Sequence, residues 1–384
     1  MPARIPETAI PVVVDRNFPV EMFGDMLRAL EASGVVDTFQ MWDQMTSWNP
    51  RCLWSPARTP MAGVVPDVDS FADWFPMAGY GAAVAPKLGS VISIDSLRRG
   101  PAELTQTLMT MANITQGKFT AHIGAGEFKQ LQPFGHDVKQ KIGRLEDFYK
   151  IFDAFRHNNA TPIDYQGKYT TLDQAWLGVA RNHMPKIWGL GGGPKIVDLS
   201  TRYADGFATM GLMVWSSPDN AREEISKMKA LLASKGRDPE SFGFGIYMPC
   251  LLHEDQNVLS YALDNDLIRW ITTIMGRINQ GDWEKEGMPS PMSKDWHYAN
   301  HLLPVRLGEA ETLAMIARST LRHAEKSFLF GTASKIAADI QPYVDAGVTW
   351  VGVLDFMPML LEPAESAAAL ARSIEVCRLL KQTT

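Results

Sequence analysis

Short apolar runs alternate along the chain with longer stretches in which apolar residues recur every three or four positions. Most of the short runs are rich in Val, Ile or aromatic residues and border Gly or Pro, which is typical of buried parallel strands. Eight strands are predicted in this way: Pro11–Asp15, Thr38–Trp42, Leu88–Ile94, Phe119–Gly124, Lys186–Leu190, Asp205–Thr209, Phe242–Tyr247 and Thr349–Leu354.

The stretches between these runs have the spacing of amphipathic helices. Over 137–157, for example, one apolar stripe is formed by Ile142, Leu145, Phe148 and Phe152. Strands alternating with helices predict an α/β fold, a (β/α)8 TIM barrel. A doubly wound open sheet is the alternative, but it would normally place a glycine-rich phosphate loop after strand one, where the chain reads DRNFP.

Two segments are too long to be simple connections. Residues 45–86 follow strand two, and residues 251–334 follow strand seven. Insertions after barrel strands lie at the C-terminal mouth, where substrates bind. No low-complexity linker interrupts the pattern, so residues 1–384 are interpreted as one elaborated domain.

Composition narrows the function classes. The chain has 384 residues, of which 46% are hydrophobic and 21% charged, which argues against disorder. A net charge of −6 gives no overall positive field for nucleic acid, and no apolar run is long enough to predict a membrane span. No zinc-binding spacing occurs, so no metal is predicted.

The cysteines and the N-terminus indicate the compartment. Cys52, Cys250 and Cys377 are an odd, widely spaced set, which argues against a disulfide framework. The first residues show no signal-peptide pattern. We therefore expect a cytoplasmic protein.

Two glycine-rich blocks follow predicted strands. Gly191-Gly192-Gly193-Pro194-Lys195 opens a helix, where backbone N–H groups can approach an anion closely; a plain strand-to-helix turn is the alternative. Gly124-Ala125-Gly126-Glu127 leaves room for a flat ring beside a carboxylate that could orient it or move a proton. The alternative is a loop glutamate in solvent.

Three blocks carry a family resemblance: LGSVISIDSLRRGP over 88–101, GKFTAHIGAGE over 117–127 and IWGLGGGPKIVDLSTRYADGF over 187–207. In this order they resemble the bacterial luciferase-like flavin and deazaflavin oxidoreductases. Within that superfamily the chain looks most like the branch that uses coenzyme F-420, which includes glucose-6-phosphate dehydrogenases and phthiodiolone ketoreductases.

The resemblance implies a set of site residues. The phosphate arm of the cofactor would be held by Gly192, Gly193, Lys195 and Ile196. Its ring would contact Asp43, Val91, Ile92, Ile94, Ala125, Gly126 and Gln130. Glu127 matches a catalytic glutamate of the sugar-phosphate enzymes, and a non-proline cis peptide would join Val91 to Ile92; an ordinary strand is the alternative there.

The chain departs from the family after strand two. Relatives commonly read Asp-His there with a Trp four residues after the His; Asp43 and Trp48 fit, but Gln44 replaces the His. Glutamine can hydrogen-bond but cannot donate a proton as an imidazolium does. His122 on strand four is one candidate replacement, with a packed, hydrogen-bonded histidine as the alternative; Glu127 and a bound water are others.

A second departure concerns the substrate. Met210 and Met213 stand where the sugar-phosphate enzymes keep a Thr and a Lys for the phosphate, and methionine cannot pair with a phosphate. This favours a small apolar organic substrate. Its pocket is predicted from Met210, Met213, Trp215, Trp54 and Trp74, although Met213 and Trp215 would equally pack between helices.

The combined hypothesis is an F-420-dependent oxidoreductase that transfers a hydride between the deazaflavin C5 and an apolar ketone or alcohol. The catalytic set would be Glu127, Asp43, Trp48, Gln44 and His122. An FMN-dependent monooxygenase of the same superfamily and a non-catalytic barrel that binds flavin or lipid are the alternatives. The resemblance also implies a homodimer.

Overall fold

The computed structural model describes residues 5–180 and 182–382. Its strands are β1 (Glu7–Pro11), β2 (Thr38–Trp42), β3 (Gly89–Asp95), β4 (Phe119–Gly124), β5 (Ile163–Gln166), β6 (Thr171–Ala175), β7 (Lys186–Leu190), β8 (Gly206–Met210), β9 (Gly243–Leu252), β10 (Leu329–Gly331) and β11 (Trp350–Asp355). Its α-helices are α1 (Val20–Ser33), α2 (Trp74–Val84), α3 (Pro101–Ile114), α4 (Phe128–Leu131), α5 (Lys141–His157), α6 (Pro194–Tyr203), α7 (Pro218–Ser234), α8 (Gln256–Asp264), α9 (Asp266–Met275), α10 (Asp282–Lys285), α11 (Tyr298–His301), α12 (Glu309–Ile316), α13 (Leu321–Ser327), α14 (Ala333–Asp345) and α15 (Ser366–Gln382).

Eight parallel strands form a closed barrel. They pair in the order β1, β2, β3, β4, β7, β8, β9 and β11, and β11 pairs back onto β1 with Trp350 opposite Glu7. The pairing of β8 with β9, with Gly206 opposite Gly243, leaves no gap in the ring. The predicted (β/α)8 barrel is therefore confirmed, and the open doubly wound sheet is excluded.

The first barrel strand lies four residues earlier than predicted. Thr8 is fully buried in β1 because its N–H donates to Asp37 Oδ2 at 2.7 Å and its hydroxyl donates to Val35 O at 2.7 Å. Val13, within the predicted strand, is 65% exposed. Hydrogen bonds thus bury a polar residue in the strand, a feature that apolar periodicity does not reveal.

Three further elements were not predicted. An antiparallel hairpin of β5 and β6 follows α5, and its turn is anchored by the buried Asp147. Strand β9 runs on to Leu252, and the short β10 pairs in parallel with its last residues. The predicted first residue of the second insertion, 251, therefore lies inside β9, and the insertion begins after Leu252.

Buried side chains form one core between the barrel and its helices and a second core within the insertions. The helical stripe predicted in α5 is confirmed, since Leu145, Phe148 and Phe152 are fully buried in the first core. The second core, which we call the insertion core, packs α8, α9, α12 and α13 together with Leu53 from the first insertion. Across the described residues, no helix combines the length and apolarity needed to cross a membrane.

Candidate active site

Aromatic side chains fill the inside of the barrel below its C-terminal mouth. Trp188, Tyr247 and Trp350 are almost completely buried there. Trp42, the last residue of β2, lies over Tyr247 with ring centroids 6.0 Å apart and meets Trp48 edge-on at 6.2 Å. The barrel is therefore closed below, and the half-buried Trp42 and Trp48 form part of the surface above.

His122 lies within this aromatic interior and not at the mouth. Its ring stacks on Trp188 at 5.2 Å, and its Nδ1 is 2.6 Å from the Tyr247 hydroxyl. Complete burial lowers the pKa of His122 to about 3, so the imidazole is neutral at pH 7. The structure therefore places His122 as the packed, hydrogen-bonded alternative describes, below the mouth.

Asp43 follows β2 and forms a buried ion pair. Its Oδ2 lies 2.7 Å from an Arg98 guanidinium nitrogen, and Arg98 also pairs with Asp95 at the end of β3. Burial raises the pKa of Asp43 to about 6, although Arg98 acts in the opposite direction. The carboxylate is therefore held in place beside the mouth by a fixed cation.

Gln44 faces a buried lysine, Lys129, that no sequence motif indicates. The Lys129 ammonium donates to Gln44 Oε1 at 2.5 Å and to Thr46 O at 2.6 Å. Gln130 also donates to Gln44 Oε1 at 2.6 Å, and its own Oε1 accepts from the Met45 N–H at 2.8 Å. Gln44 and Gln130 are therefore brought together, with their amides used to hold the loop after β2 against α4.

Glu127, at the start of α4, is the acid nearest to this cluster. Its carboxylate accepts a hydrogen bond from Trp48 Nε1 at 3.1 Å and pairs with Lys129 Nζ at 3.2 Å. The Trp48 ring lies 4.8 Å from that ammonium. The side chain of Glu127 is 19% exposed, so one part of it remains open to the mouth. The structure thus joins the predicted Glu127 and Trp48 directly.

The second insertion reaches Glu127 from the other side. Tyr298 of α11 is hydrogen-bonded to Glu127, and burial together with that carboxylate raises the pKa of the Tyr298 hydroxyl. Lys141 donates to Ala299 O at 2.8 Å and to Asn300 Oδ1 at 2.7 Å, which ties α11 to α5. Burial lowers the pKa of Lys141 to about 8. The second insertion therefore contacts Glu127 through α11.

The triple-glycine turn lies between β7 and α6. Gly191 has a φ of +152°, and a Cβ on Gly193 would meet nothing within 4 Å. Within the described part of the chain, the backbone N–H groups of Gly192, Gly193 and Lys195 make no hydrogen bond. These free donors at a helix N-terminus fit an anion such as a phosphate. Ile196 packs its side chain beneath Gly191, and Lys195 is exposed.

Strand β3 is regular where a cis peptide was expected. The described residues contain no cis peptide bond, so the Val91–Ile92 expectation is wrong and the ordinary strand is correct. Side chains alternate along the strand: Val91 belongs to the barrel interior, whereas Ile92 and Ile94 lie in the core under the helices. Only the backbone of Ile92 and Ile94 is therefore available to a ring at the mouth.

The loop after β4 has little free space. Gly126 has a φ of +83°, and a Cβ there would lie 2.9 Å from Leu131 Cδ1. Ala125 is 8% exposed. Small residues are thus required here by the path of the chain as well as by any ligand.

The residues predicted to line a substrate pocket are divided between three places. Met210 packs against both the barrel interior and the insertion core, at the mouth. Met213 is buried in the insertion core, against which Trp54 packs. Trp74 and Trp215 are almost completely buried between barrel and helices, which removes them from the predicted pocket.

Comparison with known proteins identifies the family. The model of the luciferase-like monooxygenases matches residues 53–349, more than half of the chain. The chain belongs to the luciferase-like monooxygenase family.

The chain is similar to a named ketoreductase in sequence and to several solved structures in fold. A phthiodiolone/phenolphthiodiolone dimycocerosates ketoreductase of Mycobacterium kansasii is 23% identical, over 90% of this chain and 94% of its own. An F420-dependent secondary alcohol dehydrogenase, solved with an F420-acetone adduct, has a TM-score of 0.70 at 14% identity, over 98% and 99% of the two chains. A riboflavin lyase solved with modified FMN has a TM-score of 0.69 at 12% identity, over 97% and 91%. The expected class, an oxidoreductase on a luciferase-like barrel, is confirmed.

Proposed function

We propose that this luciferase-like protein is an F-420-dependent oxidoreductase that interconverts a ketone and an alcohol on an apolar, lipid-like substrate. The observation that carries the proposal is that a carboxylate lies beside an apolar surface at the mouth of the barrel. The Glu127 carboxylate lies there with the Trp48 N–H, while the neighbouring surface is formed by Trp42 and Met210. A ketone carbon needs one polar group for its oxygen and an apolar wall for its chains.

The chain's own residues fit the cofactor. The free N–H groups of Gly192, Gly193 and Lys195 suit its phosphate, and the positive end of α6 adds to their attraction. Ala125 and Gly126 keep bulky side chains away from the neighbouring strand end. When bound, the deazaflavin would supply or accept the hydride at C5.

The remaining residues position groups and exclude water. The aromatic interior below Trp42 closes the barrel, so water reaches the reacting carbon only from the mouth. Glu127 would orient the substrate oxygen or move its proton. The hydrogen bond from Trp48 Nε1 holds the Glu127 carboxylate in one orientation. Asp43, fixed by Arg98, would lie beside the ring.

Direct titration tests the cofactor. Purified protein is mixed with F-420 and, separately, with FMN, and binding is followed by ligand fluorescence. Tight binding of F-420 with weak binding of FMN is expected, and the reverse would contradict the proposal. Lys195→Gln should weaken F-420 binding because it removes a charge beside the glycine turn, whereas Lys227→Gln on the outer face of α7 is the matched control.

Turnover tests the substrate class. With reduced F-420, a series of ketones of increasing chain length should be consumed increasingly well, because each buried CH2 contributes about 0.8 kcal/mol. A sugar phosphate should not be a substrate. Glu127→Gln should lower turnover by 10²- to 10⁴-fold if the carboxylate moves the proton. Glu223→Gln, an exposed change on α7, should have no effect.

An FMN-dependent monooxygenase is the second candidate. It is favoured by the family's own description and by the likeness to the riboflavin lyase solved with modified FMN. Oxygen consumption with reduced FMN and an apolar substrate would support it, because deazaflavins react poorly with oxygen. The glycine turn would serve either phosphate, so only the two titrations and the oxygen assay separate the candidates.

A further inference from the structure

The Lys129 ammonium is buried among polar atoms that use all of its N–H groups. Its side chain is 1% exposed. The three acceptors are Gln44 Oε1 at 2.5 Å, Thr46 O at 2.6 Å and Glu127 Oε2 at 3.2 Å. An ammonium has three N–H donors, so this set satisfies it completely. A lysine of this kind is held as a fixed charge and not as a flexible surface group.

Gln44 is oriented towards Lys129 by a second amide. Gln130 Nε2 donates to Gln44 Oε1 at 2.6 Å, so the Gln44 oxygen is shared between Gln130 and Lys129. The Gln44 amide therefore acts as an acceptor for a cation. A histidine at this position would bring its own charge when protonated, whereas Gln44 instead fixes the charge of Lys129.

We propose that Lys129 is a positioning residue of the site, whose buried ammonium fixes the Glu127 carboxylate and neutralises its charge beside the cofactor. This inference rests on the proposed function. The geometry acts through Glu127, because Lys129 is buried and reaches the mouth only by way of that carboxylate and the Trp48 ring. Without the ammonium, an uncompensated negative charge would lie close to an anionic cofactor.

Charged groups on neighbouring elements also affect the protonation of Lys129 and Glu127. Burial lowers the pKa of Lys129, and Glu127 acts in the opposite direction. The titratable and charged groups that face Lys129 or Glu127 are Asp69 from the first insertion, Arg98 after β3, Lys141 of α5, and His297 and Tyr298 of the second insertion.

A double-mutant cycle on cofactor affinity tests the proposal. Lys129→Met should weaken F-420 binding by about 10- to 100-fold, because the Glu127 charge then lies uncompensated near the anionic cofactor. Lys129→Met combined with Glu127→Gln should return the affinity to within about threefold of Glu127→Gln alone, because no unpaired charge remains. Lys227→Met, an exposed lysine of α7, is the control and should bind normally. A double variant as weak as Lys129→Met would mean that the lysine only packs, and would overturn the proposal.

A spectroscopic readout on the unliganded protein keeps the test independent of cofactor and of the Met variant's folding. The Trp48 indole N–H donates to Glu127 while the ring faces Lys129, so its ¹H–¹⁵N resonance should shift at alkaline pH as Lys129 loses its proton. Trp48→Phe assigns the resonance. Lys141 also interacts with Glu127, and its pKa is about 8, so the shift is measured in Lys141→Met as well; a shift that disappears in Lys141→Met would belong to Lys141 and would overturn the proposal. If neither F-420 nor FMN binds while the resonance moves as expected, the proposed function fails and the role of Lys129 in fixing Glu127 stands.

Discussion

Replacing His122 should change how the stability of the protein depends on pH. The ring is fully buried, and its pKa is lowered to about 3 from an ordinary value of 6.5. Between these values the unfolded chain binds a proton that the folded protein does not, so the free energy of unfolding rises with pH by about 1.4 kcal/mol per unit from this group. Integrated from pH 7 down to pH 4.5, the loss is about 2.5 kcal/mol.

Two variants that lack an ionisable group at position 122 isolate the contribution of His122 protonation to stability. His122→Phe keeps the ring volume between Trp188 and Trp350, and His122→Gln keeps a polar atom for Tyr247. Both will lower the stability at pH 7, by different amounts. The difference in free energy of unfolding between wild type and either variant should nevertheless fall by the same 2.5 kcal/mol or so from pH 7 to pH 4.5.

Equilibrium denaturation in urea at half-unit pH steps gives this difference directly. His157→Gln, at an exposed residue of α5, serves as the control for replacing a histidine elsewhere in the chain. A difference that stays flat for both His122 variants would show that the folded protein accepts a proton on His122. The neutral, packed imidazole described above would then be wrong.

Three other substitutions follow from contacts at the mouth. Arg98→Met leaves Asp43 and Asp95 without their shared cation and should cost about 3–5 kcal/mol in urea denaturation, whereas a loss below 1 kcal/mol would contradict the buried pair. Gly126→Ala should lower the free energy of unfolding by about 1–3 kcal/mol, because φ is +83° and the new Cβ meets Leu131, while Gly63→Ala, with nothing within 4 Å, should have little effect on the thermal midpoint. Trp48→Phe keeps an aromatic ring but removes the N–H to Glu127, so we expect a loss in kcat/KM of about 10- to 100-fold; an unchanged rate would place that hydrogen bond outside the reaction. Trp176→Phe, at an exposed tryptophan, is its control.

Strand prediction succeeded where the strand is a short, mostly buried run between clear boundaries. β2, β4 and β7 begin and end at the predicted residues because each is covered by helices outside and aromatic rings inside. It failed where polar contacts place the strand. β1 is shifted because Thr8 is buried through hydrogen bonds, and the hairpin of β5 and β6 depends on Asp147, whose carboxylate accepts from backbone N–H groups in the turn.

The site was predictable only in so far as the family blocks place residues at strand ends. Glu127 and Trp48 were assigned in this way, and they are in contact. Trp74 and Trp215 were assigned from residue type alone, and a tryptophan serves a core as well as a pocket. Lys129 could not be predicted, because the sequence does not distinguish a buried lysine from an exposed one. Its role is visible only once Gln44, Thr46 and Glu127 are seen to surround its ammonium.

The two acidic clusters at the mouth differ in their charge balance, and this decides where an anionic ligand can lie. Glu127 has its own cation in Lys129, so that pair is neutral. Asp43 and Asp95 share one guanidinium, so their cluster keeps an excess negative charge when both are ionised. Because burial raises the pKa of Asp43 to about 6, a modest fall in pH removes that excess. The excess charge of the Asp43–Asp95 cluster therefore disfavours an anionic group on that side of the mouth, which supports the proposed binding of the cofactor's phosphate at the glycine turn.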